Sequence, residues 1–132
     1  GIQGTTGTSG AQGTTGAQGT TGAQGTSGTT ALSINAQTGT TYTLASGDVG
    51  NLVTASNASA ITITVPPSVF TTGQVVNVQQ IGAGQVTFAQ GSGVTITSTG
   101  ATSTAPKLRA QYSAATVICT ASNTFTIIGD LS

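Results

Sequence analysis

The chain has 132 residues, of which only four are charged (Asp48, Lys107, Arg109 and Asp130), with no His, Met or Trp and a single Cys. An ordinary soluble domain is about a quarter charged, so this surface must be wetted by Thr, Ser, Asn and Gln, and a formal net charge of zero removes the self-repulsion that keeps small proteins apart. The inventory excludes a basic nucleic-acid footprint, an apolar run of the ~18–20 residues that a membrane helix needs, and an intrachain disulfide framework.

In chain order, glycine comes first. Half of the 20 glycines are Gly1, Gly4, Gly7, Gly10, Gly13, Gly16, Gly19, Gly22, Gly25 and Gly28, an unbroken Gly-X-Y run. A strict period of three demands one position per turn without a side chain, the condition at the axis of a collagen triple helix; flexible Gly/Ser linkers have no reason to keep register. The run contains no Pro, which collagen-like sequences carry at ~15–20%, so a disordered spacer and a bundle of polyproline-II helices within one chain stay open beside the triple helix. Extended at ~3.1 Å per residue, it would reach roughly 90 Å. The expected organisation is a collagen-like stalk over 1–30, a linker over 31–39 and a head over 40–132. A chain that opens on Gly1 rather than Met reads as a fragment or a processed form.

Beyond residue 40 the period changes from three to two. Ile61-Thr62-Ile63-Thr64-Val65 alternates apolar residues with Thr, as do Val86-Thr87-Phe88 and Val94-Thr95-Ile96-Thr97, the signature of half-buried strands. Further strands are expected at 41–45, 52–55, 74–79, 107–112, 116–120 and 124–128. Between them stand turn residues: Ser46-Gly47-Asp48, Pro66-Pro67, Gly82-Ala83-Gly84 (read as a hairpin turn), Gly91-Ser92-Gly93 and Ala121-Ser122-Asn123. Many short strands, frequent turns and no helical period predict an all-β fold: a short-stranded β-sandwich or jelly-roll-like head. A head of this size folds alone only narrowly, and burial against symmetry mates would add stability, in agreement with a homotrimer.

Candidate chemistry is sparse. General acid–base catalysis calls for His or paired carboxylates, and the two acids lie far apart in sequence. Cys119, within the apolar Val117-Ile118-Cys119, reads as a buried thiol without a His to activate it. Asp48 reads as a turn cap, a lone carboxylate being too little for Ca²⁺. Asn57-Ala58-Ser59 matches a glycosylation sequon. Lys107 and Arg109, two apart on one strand, share a face and are expected to pair with Asp130 or Asp48, within the chain or across subunits, or to hold an anionic group on a partner. Tyr112 is a further candidate contact, having an amphipathic ring. No cofactor and no metal site is expected.

Asp48-Val49-Gly50-Asn51-Leu52-Val53, Ile61 to Pro67, Gln80-Ile81-Gly82-Ala83-Gly84-Gln85-Val86, Lys107-Leu108-Arg109-Ala110-Gln111-Tyr112-Ser113-Ala114-Ala115-Thr116 and Ile127-Ile128-Gly129-Asp130-Leu131 occur in that order. Together with the lead-in Tyr42-Thr43-Leu44, this stretch resembles a recurrent module of bacteriophage structural proteins, which collagen-like repeats often precede. Members often carry Trp or a charge in the final strand, where this chain has Asn123-Thr124-Phe125-Thr126. The resemblance implies a non-enzymatic tail-fibre, head-fibre or similar virion protein, placed at the virion surface or otherwise extracellular. Its expected partners are copies of itself, other virion proteins or a host-surface glycan. A bacterial surface filament polymerising through head–stalk contacts is the alternative. The abundance of Thr raises a third reading, an ice-binding protein.

Overall fold

The computed structural model describes residues 31–99 and 104–132. The glycine-repeat segment, and with it the triple-helix expectation, lies outside the described residues. One compact unit runs from Leu32 to Ser132. Its strands are β1 (Ile34–Gln37), β2 (Thr41–Thr43), β3 (Leu52–Ala55), β4 (Ile61–Val65), β5 (Val75–Gln80), β6 (Val86–Gln90), β7 (Thr95–Ser98), β8 (Ala114–Ala121) and β9 (Thr124–Gly129).

The expected sandwich is overturned by the pairing. The fold is a β-solenoid of about three turns. β1, β3 and β5 stack in parallel in one sheet, and β2, β4 and β6 stack in parallel in the sheet that alternates with it along the chain. Each strand therefore pairs with its counterpart one coil later rather than with its sequence neighbour. Alternation alone does not separate the two folds, because a strand buried on one face alternates in either. What separates them is the corner: a hairpin reverses the chain into the same sheet, whereas here each corner hands it to the other sheet.

The corners explain the parallel stacking. Asn57 donates its side-chain amide to the Thr38 carbonyl at 2.7 Å, and its own carbonyl accepts the Gly84 N–H at 2.8 Å, so three successive corners are tied in a column. Gly82-Ala83-Gly84 is thus a solenoid corner joining β5 to β6 in different sheets, not the hairpin turn expected. A true reversal occurs between β8 and β9, with Asn123 at φ 51° and a bulge between Cys119 and Ala121. β8 runs antiparallel to β5, and β7 joins β9, extending the first sheet to six strands in the order β1-β3-β5-β8-β9-β7.

The segment expected as a strand over 107–112 is only bridged. Lys107 faces Thr87 and Leu108 faces Leu131, after which Ala110–Ser113 turn into β8. This strip covers the outer edge of β6, where Phe88 N–H donates to Pro106 O and Leu108 N–H to Val86 O, each at 2.9 Å. Conversely, β1 lies inside the stretch read as a linker. Its alternation is Ile-Asn-Ala-Gln, with Asn35 and Gln37 half-buried and Ile34 and Ala36 exposed, the inverse of the apolar-in pattern that marks a strand.

Inward residues from both sheets form one core in which Val53, Ile63, Val65, Val78, Val86, Phe88, Leu108 and Ile127 are fully buried. Phe70 and Phe125 meet edge to face with ring centroids 5.9 Å apart.

Candidate functional site

Among the described residues, side-chain chemistry collects at the first coil, at the covered edge of the last, and on the two outer sheet faces.

At the first coil the inward positions of β1 and β2 are Asn35, Gln37 and Tyr42, where the second coil has Val53, Ala55 and Ile63. Asp48, only 3% exposed, is carried among them by the 3-10 turn Ser46–Asp48. Its carboxylate accepts from Asn35 Nδ2 at 3.0 Å, from the Tyr42 hydroxyl at 2.8 Å and from Ala45 N–H at 2.8 Å. Asn35 Nδ2 also reaches the Tyr42 oxygen at 2.8 Å, and Gln37 donates to Asn35 Oδ1 at 2.8 Å. A buried carboxylate is tolerable only with such a set of donors. The network plugs the end of the solenoid with satisfied polar groups, as terminal repeats of stacked folds require. Burial first, and then the hydrogen bond to Asp48, push the Tyr42 phenol above its ordinary 10.0. Asp48→Asn should lower stability by about 1–3 kcal/mol, because the amide N–H₂ meets at least one donor. Denaturant unfolding measures that loss, and the Tyr42 absorbance titration should move back toward its ordinary range in the same variant.

At the other end, Arg109 makes two bonds to Asp130, Nε to Oδ1 at 2.7 Å and Nη2 to Oδ2 at 2.8 Å. The Ser113 hydroxyl donates to the same Oδ2 at 2.6 Å, and its oxygen accepts Ala110 N–H. Arg109 and then Ser113 hold the Asp130 carboxyl below its ordinary 3.8. A folded-state value below the unfolded one stabilises above the unfolded value and is lost as pH falls through the folded one. Melting temperature followed from neutral pH to about pH 2 should therefore show the wild type losing, below 3.8, whatever advantage it holds over Asp130→Asn. The pair is exposed, 63% and 41% at its side chains, so that advantage is small.

Lys107 is exposed beside Thr87 and has no ion-pair partner among the described residues. Tyr112, 63% exposed, sits at φ 70° in the turn before β8, where its carbonyl accepts the Gln79 amide. Asp48 and Asp130 are therefore not brought together: one closes the first coil and the other caps the last. Cys119 is buried in the core, its thiol donating to the carbonyls of Phe70 and Ala121. Asn57, the sequon residue, has its side chain engaged at the corner by Thr38 O and Ser59 N–H. Among the described residues no group of three or more His, Cys, Asp or Glu could hold a metal ion, and no helix is long and apolar enough to cross a membrane.

The two outer sheet faces differ. On the three-stranded sheet, Thr41, Thr62 and Thr87 form one cross-strand row and Thr43, Thr64 and Ala89 the next. The hydroxyls of these five threonines make no bond to the described residues. On the six-stranded sheet the outward rows carry aliphatics, and Thr97, Thr116 and Thr124 bond within the chain. Neither row was legible beforehand, because the alternation shows which residues share a face and not which strands neighbour each other.

Comparison with family models, curated proteins and solved structures yields no match to the chain.

Proposed function

We propose that this chain is a non-enzymatic structural module of a fibre, of the kind carried by a virion or another extracellular appendage, and that it self-associates as a homotrimer. The observation that carries the reading is where the reactive groups lie. Asp48 is buried under three donors, Asp130 is held by Arg109 and Ser113, and Cys119 is in the core, which leaves Lys107 as the one unpaired charge among the described residues. Such a set has no acid pair and no nucleophile with a base beside it, whereas a neutral solenoid suits a spacer or presenting element. Three chains is the stoichiometry expected from the glycine period of residues 1–30. The polar plug in the first coil disfavours growth by end-on stacking, and with it one route to a cellular filament. Sedimentation equilibrium over a wide concentration range tests the reading: a species of three times the 12.7 kDa chain mass is expected, and a monomer at every concentration would end it.

A second reading is favoured by the threonine rows. Parallel strands about 4.8 Å apart, with outward residues about 6.7 Å apart along each strand, set hydroxyls and methyls on a regular plane. Water oxygens linked tetrahedrally by bonds of about 2.75 Å repeat at about 4.5 Å and about 7.3 Å, close enough for that plane to order a water layer or an ice surface. Thermal hysteresis that disappears in Thr62→Lys would support it; none in the wild type would remove it.

A further inference from the structure

We propose that copies of this chain associate through the outer face of the six-stranded sheet; the inference rests on the self-association reading above and adds which surface carries it. Pairing fixes one row across five strands: Ile34, Leu52, Asn77, Thr116 and Ile128. A second row runs Val75, Ile118, Thr126 and Thr97, and a third Ala36, Thr54, Gln79 and Ala114. None of these positions is charged, and the first row ends in the two most exposed isoleucines among the described residues, Ile34 at 62% and Ile128 at 51%.

The opposite sheet is the internal comparison. It belongs to the same neutral chain and has the same pleat, yet its two outward rows hold five threonines and one alanine and no large aliphatic. Low charge is thus a property of the whole chain, while of the two outer sheet faces only this one exposes large aliphatics. Sheet faces turned to water ordinarily carry polar residues, and interface centres are depleted of charge and enriched in apolar area.

The occupant is a second copy, on three grounds. The first is charge: with no net charge, two copies meet without repulsion, and a charged partner finds nothing complementary on this plane. The second is size. Six strands about 4.8 Å apart and five residues of about 3.4 Å give a plane of roughly 500 Å², so three such planes turned toward a common threefold axis remove up to about 1,500 Å², within the range of specific interfaces. The third is shape. A depression of about 270 Å³ lies beside Ile128, lined by Asn77, Ala114, Thr116 and Gly129 among others, and offers the partner's aliphatic side chains a seat. The Arg109–Asp130 pair follows β9 directly, with Asp130 N–H bonded to Ala114 O, and so supplies a polar rim.

The test uses the full chain. Ile128→Cys and Thr62→Cys place one accessible thiol on each outer face, with Cys119 buried in both. In the assembled protein, maleimide labelling at 128 should be at least tenfold slower than at 62, and equal rates would overturn the assignment. In parallel, Ile34→Lys/Ile128→Lys should dissociate at a concentration at least tenfold above wild type, while Thr62→Lys should not. A double variant with a wild-type circular dichroism spectrum and wild-type dissociation would also overturn it. Either failure, in a protein that still assembles, leaves the self-association reading standing. A wild type that is monomeric at every concentration removes the reading and this surface together.

Discussion

Phe88→Ala should lower the free energy of unfolding by about 3–5 kcal/mol, a large share of the roughly 5–15 kcal/mol that a domain commands. Phe88 is fully buried and ends the inward row Tyr42, Ile63, Phe88 that crosses the three-stranded sheet. Its backbone is pinned on both sides, by β4 and by the Pro106 carbonyl. The coil therefore has little freedom to collapse into the space left behind, which places the cost toward the upper end of the range. Urea unfolding should show a lower midpoint at unchanged slope. Phe88→Leu, which keeps most of the volume, should lose less than about 1.5 kcal/mol. An alanine variant within 1 kcal/mol of wild type would mean that this row is not the centre of the core.

The second large effect is expected at a corner. A Cβ placed on Gly84 would lie 1.9 Å from the Ser59 carbonyl oxygen and 2.8 Å from that of Asn57. Both obstacles are backbone, so relief requires one corner to lift off the corner below it, with loss of the 2.8 Å bond from Gly84 N–H to Asn57 O. Gly84→Ala should cost about 3 kcal/mol. Gly47→Ala, where nothing lies within 4 Å of the added atom, should stay within about 0.5 kcal/mol of wild type. Thermal melts of the two variants side by side check the contrast, and equal melting temperatures would refute the close stacking of corners.

How far the sequence was readable follows from what each signal encodes. Strands β4, β6 and β7 were legible because Thr alternates with Val, Ile or Phe where one face is buried, and that is a local property. The solenoid was not, because strand partnership is non-local. Stacked repeats normally announce themselves by a fixed period, but the coils here are unequal: Ile34 pairs with Leu52, 18 residues on, and Leu52 with Asn77, 25 residues on. The strand β1 was hidden for a different reason. Its inward residues are the polar Asn35 and Gln37 of the end plug, so its hydrophobic pattern is reversed. The bonding of Tyr42 to Asp48 was equally out of reach, since a 3-10 turn, not a strand register, brings the carboxylate back under the ring. Arg109 and Asp130 could be suspected of pairing from the scarcity of charge alone, whereas nothing marked Ser113 as the third member.

The unequal coils and the single-sided pairing of β1 together give the solenoid a mechanical character. Tension arriving from the residues upstream of Leu32 reaches β1 first, and β1 is four residues long and, among the described strands, pairs only with β3. The load therefore peels the structure from that end rather than breaking it as a whole. Releasing the first coil frees 18 residues and the second 25, or about 60 Å and about 85 Å of extended chain at ~3.4 Å per residue. A unit built this way is expected to yield in discrete lengths under a pull, while its far end, tied by the antiparallel β5, β8 and β9, stays folded.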